Sequence, residues 1–143
     1  MSENDVVETT VRVRYAETDA MGIVYHTNYI VWFEVGRGEY MRQRGGAYRK
    51  WENDGFYLPV TEVDARFIGA ARYDDVVVIR TSVAEVRSRS VTLFYEIVME
   101  ETGQVLVTGR TKHLCTDLEG RIRRLPPDLI LALSGGKTDA GIT

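Results

Sequence analysis

A single long helical pattern, in a chain otherwise dominated by strand patterns, most constrains how this sequence can fold. From about Asn28 to Arg44, apolar side chains and one glycine recur at helical spacing. They are Tyr29, Trp32, Phe33, Val35, Gly36, Tyr40 and Met41. Gly36 and Gly38 each cost roughly 1 kcal/mol relative to alanine inside a helix. We therefore expect both glycines to let the helix backbone approach a flat surface such as a sheet. Gly45-Gly46 predicts the end of the helix.

Strand patterns lie on both sides of this helix. One covers residues 6–15, and others follow at 56–67, 76–86, 90–100, 105–116 and 121–125. Short helices are predicted at 47–53 and 128–133. One helix cannot cover both faces of such a sheet, but a strongly twisted sheet can curl around one helix. The sequence therefore predicts an α+β fold, with a curved antiparallel sheet around one long helix. The sheet edges left exposed favour a dimer.

Length, charge and cysteine content exclude several classes of protein. The 143 residues suit one domain, placed at 1–133, with a disordered tail over 134–143. No apolar run approaches the ~20 residues of a membrane span, and the polar N-terminus is not a secretory signal. A formal net charge of −3 argues against a general nucleic-acid binder. One cysteine, Cys115, excludes an internal disulfide and fits a cytoplasmic location.

The segment from Tyr15 to Tyr29 carries the most chemistry. It places Asp19, the turn glycine Gly22 and His26 immediately before the long helix. A helix N-terminus offers unpaired N–H groups and the positive end of a dipole, which can hold an oxygen that becomes negative during acyl transfer. A carboxylate beside it can attack a carbonyl carbon or take a proton from a water that does. The pattern favours hydrolysis of an activated acyl group.

A plain turn is the alternative for this segment, with Thr27 or Asn28 as the helix N-cap. Other site types are absent from the sequence, which has no G-x-S-x-G elbow and no G-x-x-x-x-G-K-[ST] phosphate loop. Soft metal ligands are limited to His26, His113 and Cys115, so we expect no metal and no cofactor. The last two are predicted to be packed strand residues.

Motifs along the whole chain carry a resemblance to a known family. Besides Val13–Tyr29 they are Phe33-Glu34-x-x-Arg37, Leu58-Pro59-Val60, Phe67-x-x-Ala70-x-x-Tyr73-x-Asp75, Arg87-Ser88-Arg89-Ser90, Thr111-x-His113-x-Cys115-x-Asp117 and Arg124-Leu125-Pro126. Over about residues 8–133 the chain resembles the hotdog-fold 4-hydroxybenzoyl-CoA thioesterase family. It is closest to the bacterial acyl-CoA thioesterase branch often associated with the Tol–Pal system. The resemblance implies a hotdog fold, assembly as homodimers and commonly homotetramers, and hydrolysis of a CoA thioester.

The resemblance also implies roles for individual residues. Asp19 matches the catalytic aspartate, and His26 matches the residue whose backbone N–H polarises the thioester carbonyl. Tyr15 and the His26 side chain match polar positions of the Tol–Pal-linked branch. Ala20 stands where the aromatic-substrate enzyme carries proline, so aromatic specificity does not follow. From the residues alone, Tyr15 at the end of a strand could equally be a packing residue, and Glu17 is expected to be a solvated loop acid.

The acyl-CoA substrate suggests further binding residues. Arg87 and Arg89 form a compact cationic turn that we expect to bind CoA phosphates, together with Lys112 from a neighbouring strand or subunit. A solvated hairpin is the alternative. The acyl group stays undetermined, because the candidate lining residues suit aromatic and aliphatic chains equally. These residues are Tyr25, Tyr29, Trp32, Phe33, Tyr48 and Phe56.

Two other functions stay open on the sequence alone. A hotdog hydratase or dehydratase would act on an enoyl or hydroxyacyl thioester, although its Asn-Pro-x-His signature is missing. A non-enzymatic acyl-CoA-binding domain is the second alternative. The sequence does not choose between a dimer and a tetramer, or between Asp19 as a nucleophile and as a general base.

Overall fold

Strands and helices cover most of the described chain. The computed structural model describes residues 5–44 and 48–134. In chain order the elements are β1 (Val7–Arg12), α1 (His26–Arg44), α2 (Tyr48–Asn53), β2 (Val60–Phe67), β3 (Val76–Val86), β4 (Ser90–Met99), β5 (Val105–Leu114) and α3 (Pro127–Leu133). None of these helices is long and apolar enough to cross a membrane. The predicted helix stop at Gly45-Gly46 and the predicted tail beyond residue 134 lie outside the described residues.

The strands form one antiparallel sheet in the order β1-β3-β4-β5-β2. The sheet has two distinct ends. The loops 13–25, 68–75 and 100–104 leave one end, which we call the 13–25 end. The loops 54–59, 87–89 and 115–126 leave the opposite end, which we call the 87–89 end. This separation decides which predicted site residues can meet within one subunit.

Helix α1 lies across one face of the sheet. Phe33 of the helix stacks on Tyr95 of β4, with ring centroids 4.5 Å apart and ring planes at 9°. Gly109 of β5 leaves room for this stack, since a Cβ there would lie 2.6 Å from the Phe33 ring. Fully burying a side chain such as phenylalanine stabilises a fold by about 1.5–3 kcal/mol. The predicted α+β architecture, a sheet around one long helix, is confirmed.

Two strand predictions are wrong, and the strand predicted at 56–67 begins only at Val60. The strand over residues 6–15 ends at Arg12, because the chain then closes a 3₁₀ turn over Tyr15–Glu17, in which the Thr18 N–H donates to the Tyr15 carbonyl. No strand forms over 121–125. The backbone of this segment bonds in turn to Asp117, to Cys115 and to Ser88 of the 87–89 loop, so no continuous ladder forms.

Strand β2 is an exposed edge of the sheet. It pairs with β5 on one side, and in the described chain no strand lies on its other side. Three of its apolar side chains stay 38–45% exposed, at Val60, Val63 and Phe67. An edge of this kind presents unpaired backbone groups that can pair with another strand.

Gly36 and Gly38 play different roles, although the sequence predicts a close approach for both. A Cβ on Gly36 would collide with the Thr81 hydroxyl and would lie 2.7 Å from the Ile79 side chain, so this helix turn rests directly on β3. A Cβ on Gly38 would meet only the flexible end of Arg42, at 3.6 Å. The prediction is confirmed for Gly36 and wrong for Gly38, because Gly38 does not face the sheet.

These two glycines provide a matched test of the helix–sheet contact. We expect Gly36→Ala to lower the free energy of unfolding by about 1–3 kcal/mol, because the added methyl overpacks the interface. Gly38→Ala should leave it unchanged or raise it by up to ~1 kcal/mol, since alanine favours the helix. Urea denaturation of both variants measures the difference. Equal effects of the two substitutions would contradict the packing described here.

Candidate active site

The loop over residues 13–25 folds back on itself, so that Asp19 stands in a short hairpin that leads directly into α1. Thr18 and Val24 form an isolated antiparallel bridge. The Asp19 N–H donates to the Ile23 carbonyl at 2.8 Å, and the Gly22 N–H donates to the Asp19 carbonyl at 2.9 Å. Gly22 has a φ of 80°, a conformation that side chains rarely tolerate. The predicted turn glycine is therefore confirmed.

The neighbouring loop 68–75 holds this hairpin from outside. The Val24 N–H donates to the Ala71 carbonyl at 2.9 Å, and the Ala71 N–H donates to the Tyr29 hydroxyl at 3.0 Å. Tyr29 is buried on α1, so the contact also ties both loops to the helix. Burial raises the pKa of the Tyr29 hydroxyl, which therefore stays protonated.

Asp19 is half-buried, and its own loop binds only one of its two carboxylate oxygens. Its Oδ1 atom accepts the Met21 N–H at 2.8 Å and the Ile23 N–H at 3.4 Å. From the part of the chain that the structure describes, Oδ2 receives no hydrogen bond. Such a carboxylate is fixed by one oxygen and has the other available for chemistry.

Helix α1 begins at His26, two residues before the start predicted from the sequence. The Asn28 N–H donates to the Tyr25 carbonyl at 2.9 Å. Among residues 5–44 and 48–134, nothing accepts a hydrogen bond from the backbone N–H of His26 or Thr27. These two donors lie at the positive end of a 19-residue helix, an arrangement suited to a developing negative charge.

The side chains of His26 and Tyr15 lie at the surface of the isolated subunit. The His26 ring packs against Tyr25 and Phe67, with centroid distances of 4.7 and 5.8 Å. The Tyr15 side chain is 77% exposed and meets Tyr73 edge-to-face at 5.8 Å. The sequence offered a packed tyrosine at the end of a strand as the alternative. In the isolated subunit Tyr15 is not packed, because β1 ends at Arg12, before this residue.

Glu17 is not the solvated acid that the sequence predicts. Only 6% of the residue is exposed, and both carboxylate oxygens accept hydrogen bonds. Oε1 accepts the Arg14 N–H at 2.8 Å, and Oε2 accepts the Trp32 indole N–H at 3.1 Å. Burial raises the pKa of this carboxyl, but the hydrogen bonds and the Arg14 charge outweigh it, so the pKa lies below its ordinary value. A buried tryptophan that needs an acceptor was the available sequence signal.

The predicted CoA-binding cations lie at the opposite end of the sheet from Asp19. Arg87 and Arg89 occupy the β3–β4 turn, and Lys112 is five residues along β5 from Val107, the partner of Phe67. Five residues of strand span about 17 Å. One subunit therefore does not bring these cations to the start of α1.

Acidic neighbours surround two of these cations. Arg87 pairs with Glu85 at 2.6 Å, and Lys112 pairs with Glu62 at 3.6 Å. A groove of about 260 Å³ lies beside these ion pairs. It is lined by Glu62, Val63, Asp64, Glu85, Thr92, Arg110 and Lys112. Any phosphate that binds here must compete with the carboxylates for these cations.

The predicted acyl-lining residues are mostly core residues. Tyr29, Trp32 and Phe33 are at most 3% exposed. Phe56 packs against the same core, Tyr25 is exposed, and the Tyr48 side chain lies outside the described residues. A cavity of about 450 Å³ is present instead at the 87–89 end. It is lined by Arg37, Glu52, Tyr57, Leu58, Pro59, Thr116, Asp117, Leu118 and Gly120.

Three buried side chains on β4 and β5 form a chain of hydrogen bonds inside the fold. The Tyr95 hydroxyl lies 2.6 Å from the Thr111 hydroxyl, which lies 2.7 Å from His113 Nε2. His113 Nδ1 lies 3.1 Å from the Leu58 carbonyl. Burial, with the nearby Arg37 charge, lowers the pKa of His113, and burial raises the pKa of Cys115 to about 11. Both are packed residues, as predicted. In the described chain no group of three or more His, Cys, Asp or Glu side chains could hold a metal ion.

Comparisons with known proteins agree with this architecture. A family model described as "Thioesterase-like superfamily" matches residues 13–133. The chain is 32% identical to the "Putative acyl-CoA thioesterase YneP" of Bacillus subtilis, covering 86% of this chain and 91% of the relative. It is 29% identical to the "Acyl-CoA thioester hydrolase YbgC" of Escherichia coli, covering 84% of this chain and 90% of the relative.

A solved structure extends the comparison to the fold. The DHNA-CoA thioesterase from Staphylococcus aureus superposes with a TM-score of 0.84 at 34% identity. The match covers 91% of this chain and 89% of the solved chain. The predicted hotdog fold is confirmed.

Proposed function

The chain belongs to the thioesterase-like superfamily, and from this membership we propose that it is an acyl-CoA thioesterase, an enzyme that hydrolyses a CoA thioester to a free acid and CoA. The observation that carries the proposal is the hairpin that joins Asp19 to the start of α1, through the Thr18–Val24 bridge and the Tyr25 N–H, which donates to the Glu17 carbonyl. A carboxylate with one unused oxygen and a helix N-terminus with unused N–H donors are the two parts that acyl transfer to water needs.

In the proposed mechanism, the thioester carbonyl oxygen accepts the His26 backbone N–H. The helix dipole then stabilises the negative charge that develops on this oxygen. Asp19 acts in one of two ways. As a nucleophile it forms a mixed anhydride and expels the CoA thiolate, and water then hydrolyses the anhydride. As a general base it takes a proton from a water that attacks the carbonyl carbon, and the C–S bond then breaks.

A hydratase or an acyl-CoA-binding domain would give different products from the same substrates. We would incubate the protein with a panel of aromatic, short-chain and long-chain acyl-CoAs and a thiol reagent. Release of free CoA identifies a thioesterase and also gives the acyl preference. A changed double bond without thiol release would identify a hydratase, and binding without turnover would identify a binding domain.

Asp19→Asn tests the catalytic carboxylate. The amide keeps the size of the side chain but loses the charge, so kcat should fall on the order of 10²-fold or more while KM stays near the wild-type value. Steady-state thiol release measures both constants. Asp128→Asn, at the start of α3, is the matched control and should keep the wild-type kcat. An Asp19→Asn enzyme within a few-fold of wild type would refute this mechanism.

His26→Ala in the same assay separates the backbone donor from the side chain. We expect a far smaller loss of kcat than for Asp19→Asn, because alanine keeps the N–H group. A loss as large as that of the aspartate variant would make the imidazole an acid or base in the reaction.

We also propose that the protein is a homodimer, or a tetramer of such dimers, formed through the β2 edge. The exposed apolar side chains of β2 and its unpaired edge support this assembly. Two identical strands related by a two-fold axis pair antiparallel. The 87–89 end of one subunit then lies beside the 13–25 end of the other.

We propose a cytoplasmic location for the protein. Its single cysteine, which is buried, supports this proposal.

The dimer gives the predicted CoA cations a route to the active site. Arg87, Arg89 and Lys112 of one subunit would approach the Asp19 site of the other. Arginine makes bidentate, charge-assisted bonds to phosphate, which favours this assignment despite the acidic neighbours. Within one subunit these cations lie at the opposite end of the sheet from Asp19.

Val63→Glu tests the proposed dimer. A charge in the middle of the β2 edge should convert the assembly to monomers, which size-exclusion chromatography with light scattering detects. Leu118→Glu is the control, because it adds the same charge to another exposed apolar side chain, outside the β2 edge. Unchanged mass for Val63→Glu would place the interface elsewhere.

Arg87→Ala with Arg89→Ala tests phosphate recognition. We expect KM for acyl-CoA to rise and its salt dependence to flatten, since exposed charges are screened over about 8 Å at physiological ionic strength. The value of kcat should change little. A thioester that lacks the nucleotide should be indifferent to the double substitution. The control pair Arg12→Ala with Arg42→Ala removes the same charge from exposed ion pairs elsewhere.

If KM for the truncated thioester rises as much as KM for acyl-CoA, the two arginines support the fold and do not bind phosphate.

A further inference from the structure

Glu17 is a buried carboxylate that no step of the proposed reaction uses. It lies two residues before Asp19, and all its contacts are with segments that form the site. We propose that Glu17 is a positioning residue of the thioesterase reaction, holding Asp19 and the N-terminus of α1 in one fixed relation. This inference rests on the proposed function, because it assigns Glu17 a role in that same reaction.

The carboxylate joins the 13–25 loop to helix α1. Oε1 accepts the backbone N–H of Arg14, just beyond the end of β1, at 2.8 Å. Oε2 accepts the indole N–H of Trp32 at 3.1 Å, and Trp32 is 2% exposed on the second turn of α1. The Arg14 guanidinium adds a longer contact to Oε2 at 3.4 Å. One side chain therefore fixes the turn inside the loop and anchors that turn to the helix.

The backbone of Glu17 ties the same loop to the first turn of the helix. Its carbonyl accepts the Tyr25 N–H at 2.9 Å and the Asn28 side-chain amide at 2.9 Å. The residue next to Tyr25 is His26, whose N–H is the proposed donor to the thioester. Two residues after Glu17, the Asp19 N–H donates to the Ile23 carbonyl. A shift of Glu17 therefore moves Asp19 and the start of α1 together.

The chemistry of the two donors requires a carboxylate at this position. A backbone N–H faces one oxygen and an indole N–H faces the other, so both atoms of the side chain must accept. Glutamine has one accepting oxygen, and its NH₂ group would face a donor. Two buried donors that face each other without an acceptor are costly, so the loop should move to separate them. Misplacing reacting groups by about 1 Å can lower a rate on the order of 10²-fold.

The experiment is a double-mutant cycle on the full chain, measured by thiol release. Glu17→Gln should lower kcat by about 10-fold or more with KM within about 3-fold of wild type. Trp32→Phe removes the donor that faces Oε2 and should cost less. In Glu17→Gln combined with Trp32→Phe, the amide oxygen accepts the Arg14 N–H and the NH₂ group no longer faces the indole N–H, while the exposed Arg14 guanidinium can turn away from it. The double variant should therefore recover most of the kcat lost in Glu17→Gln.

Glu39→Gln is the matched control, because it makes the same change on α1 in an ion pair with Arg42, away from the helix start. Its kcat should equal that of wild type. All variants are compared by circular dichroism at the assay temperature, so that only folded enzyme is scored. A purely structural role of Glu17 would lower the melting temperature without lowering kcat of the folded enzyme.

Amide hydrogen exchange provides a readout that does not depend on activity. In Glu17→Gln, the Asp19 and Tyr25 N–H groups should exchange faster, while those of β4 stay protected. The positioning role is refuted if exchange at both sites is unchanged, if folded Glu17→Gln keeps wild-type kcat, or if the double variant is as slow as the product of the single losses. Failure of the proposed function is separate, since wild-type protein would then release no thiol.

Discussion

The contact between helix α1 and the sheet decides where the proposed reactive groups lie. Gly36 lets the helix rest on β3, and the Phe33–Tyr95 stack fills the space beside it. Because an α-helix is rigid, fixing these two turns also fixes the direction in which the first N–H groups point. The position of His26 is therefore a consequence of packing several residues further along the helix.

The loop before the helix supplies the second half of the site, and its geometry comes from a few directional hydrogen bonds. The Asp19 carboxylate is oriented by its own hairpin, and Glu17 links that hairpin to α1 through Trp32. A half-buried aspartate alone would be an ordinary loop acid. In the proposed mechanism it acts on a carbonyl that the unused donors of the helix N-terminus polarise.

Much of this arrangement could be predicted from the sequence, because it depends on local patterns. Helical spacing predicted α1, alternation predicted β2 to β5, and the family motif pointed to Asp19 and His26, whose roles are proposed. The buried state of Glu17 could not be predicted locally, since its partner Trp32 is fifteen residues away on another element. The place of Arg87 and Arg89 depends on the strand order, which no short motif encodes. Trp32 and Phe33 were expected to be candidates for pocket lining, but both are packed into the core.

The most direct test of the account is a crystal structure of the Asp19→Asn variant with an uncleaved acyl-CoA. We predict that the thioester oxygen lies about 2.7–3.1 Å from the His26 backbone nitrogen. The side chain of residue 19 should face the carbonyl carbon at about 3–3.5 Å. A thioester bound in the cavity at the 87–89 end, or one whose oxygen makes no contact with the start of α1, would contradict the account.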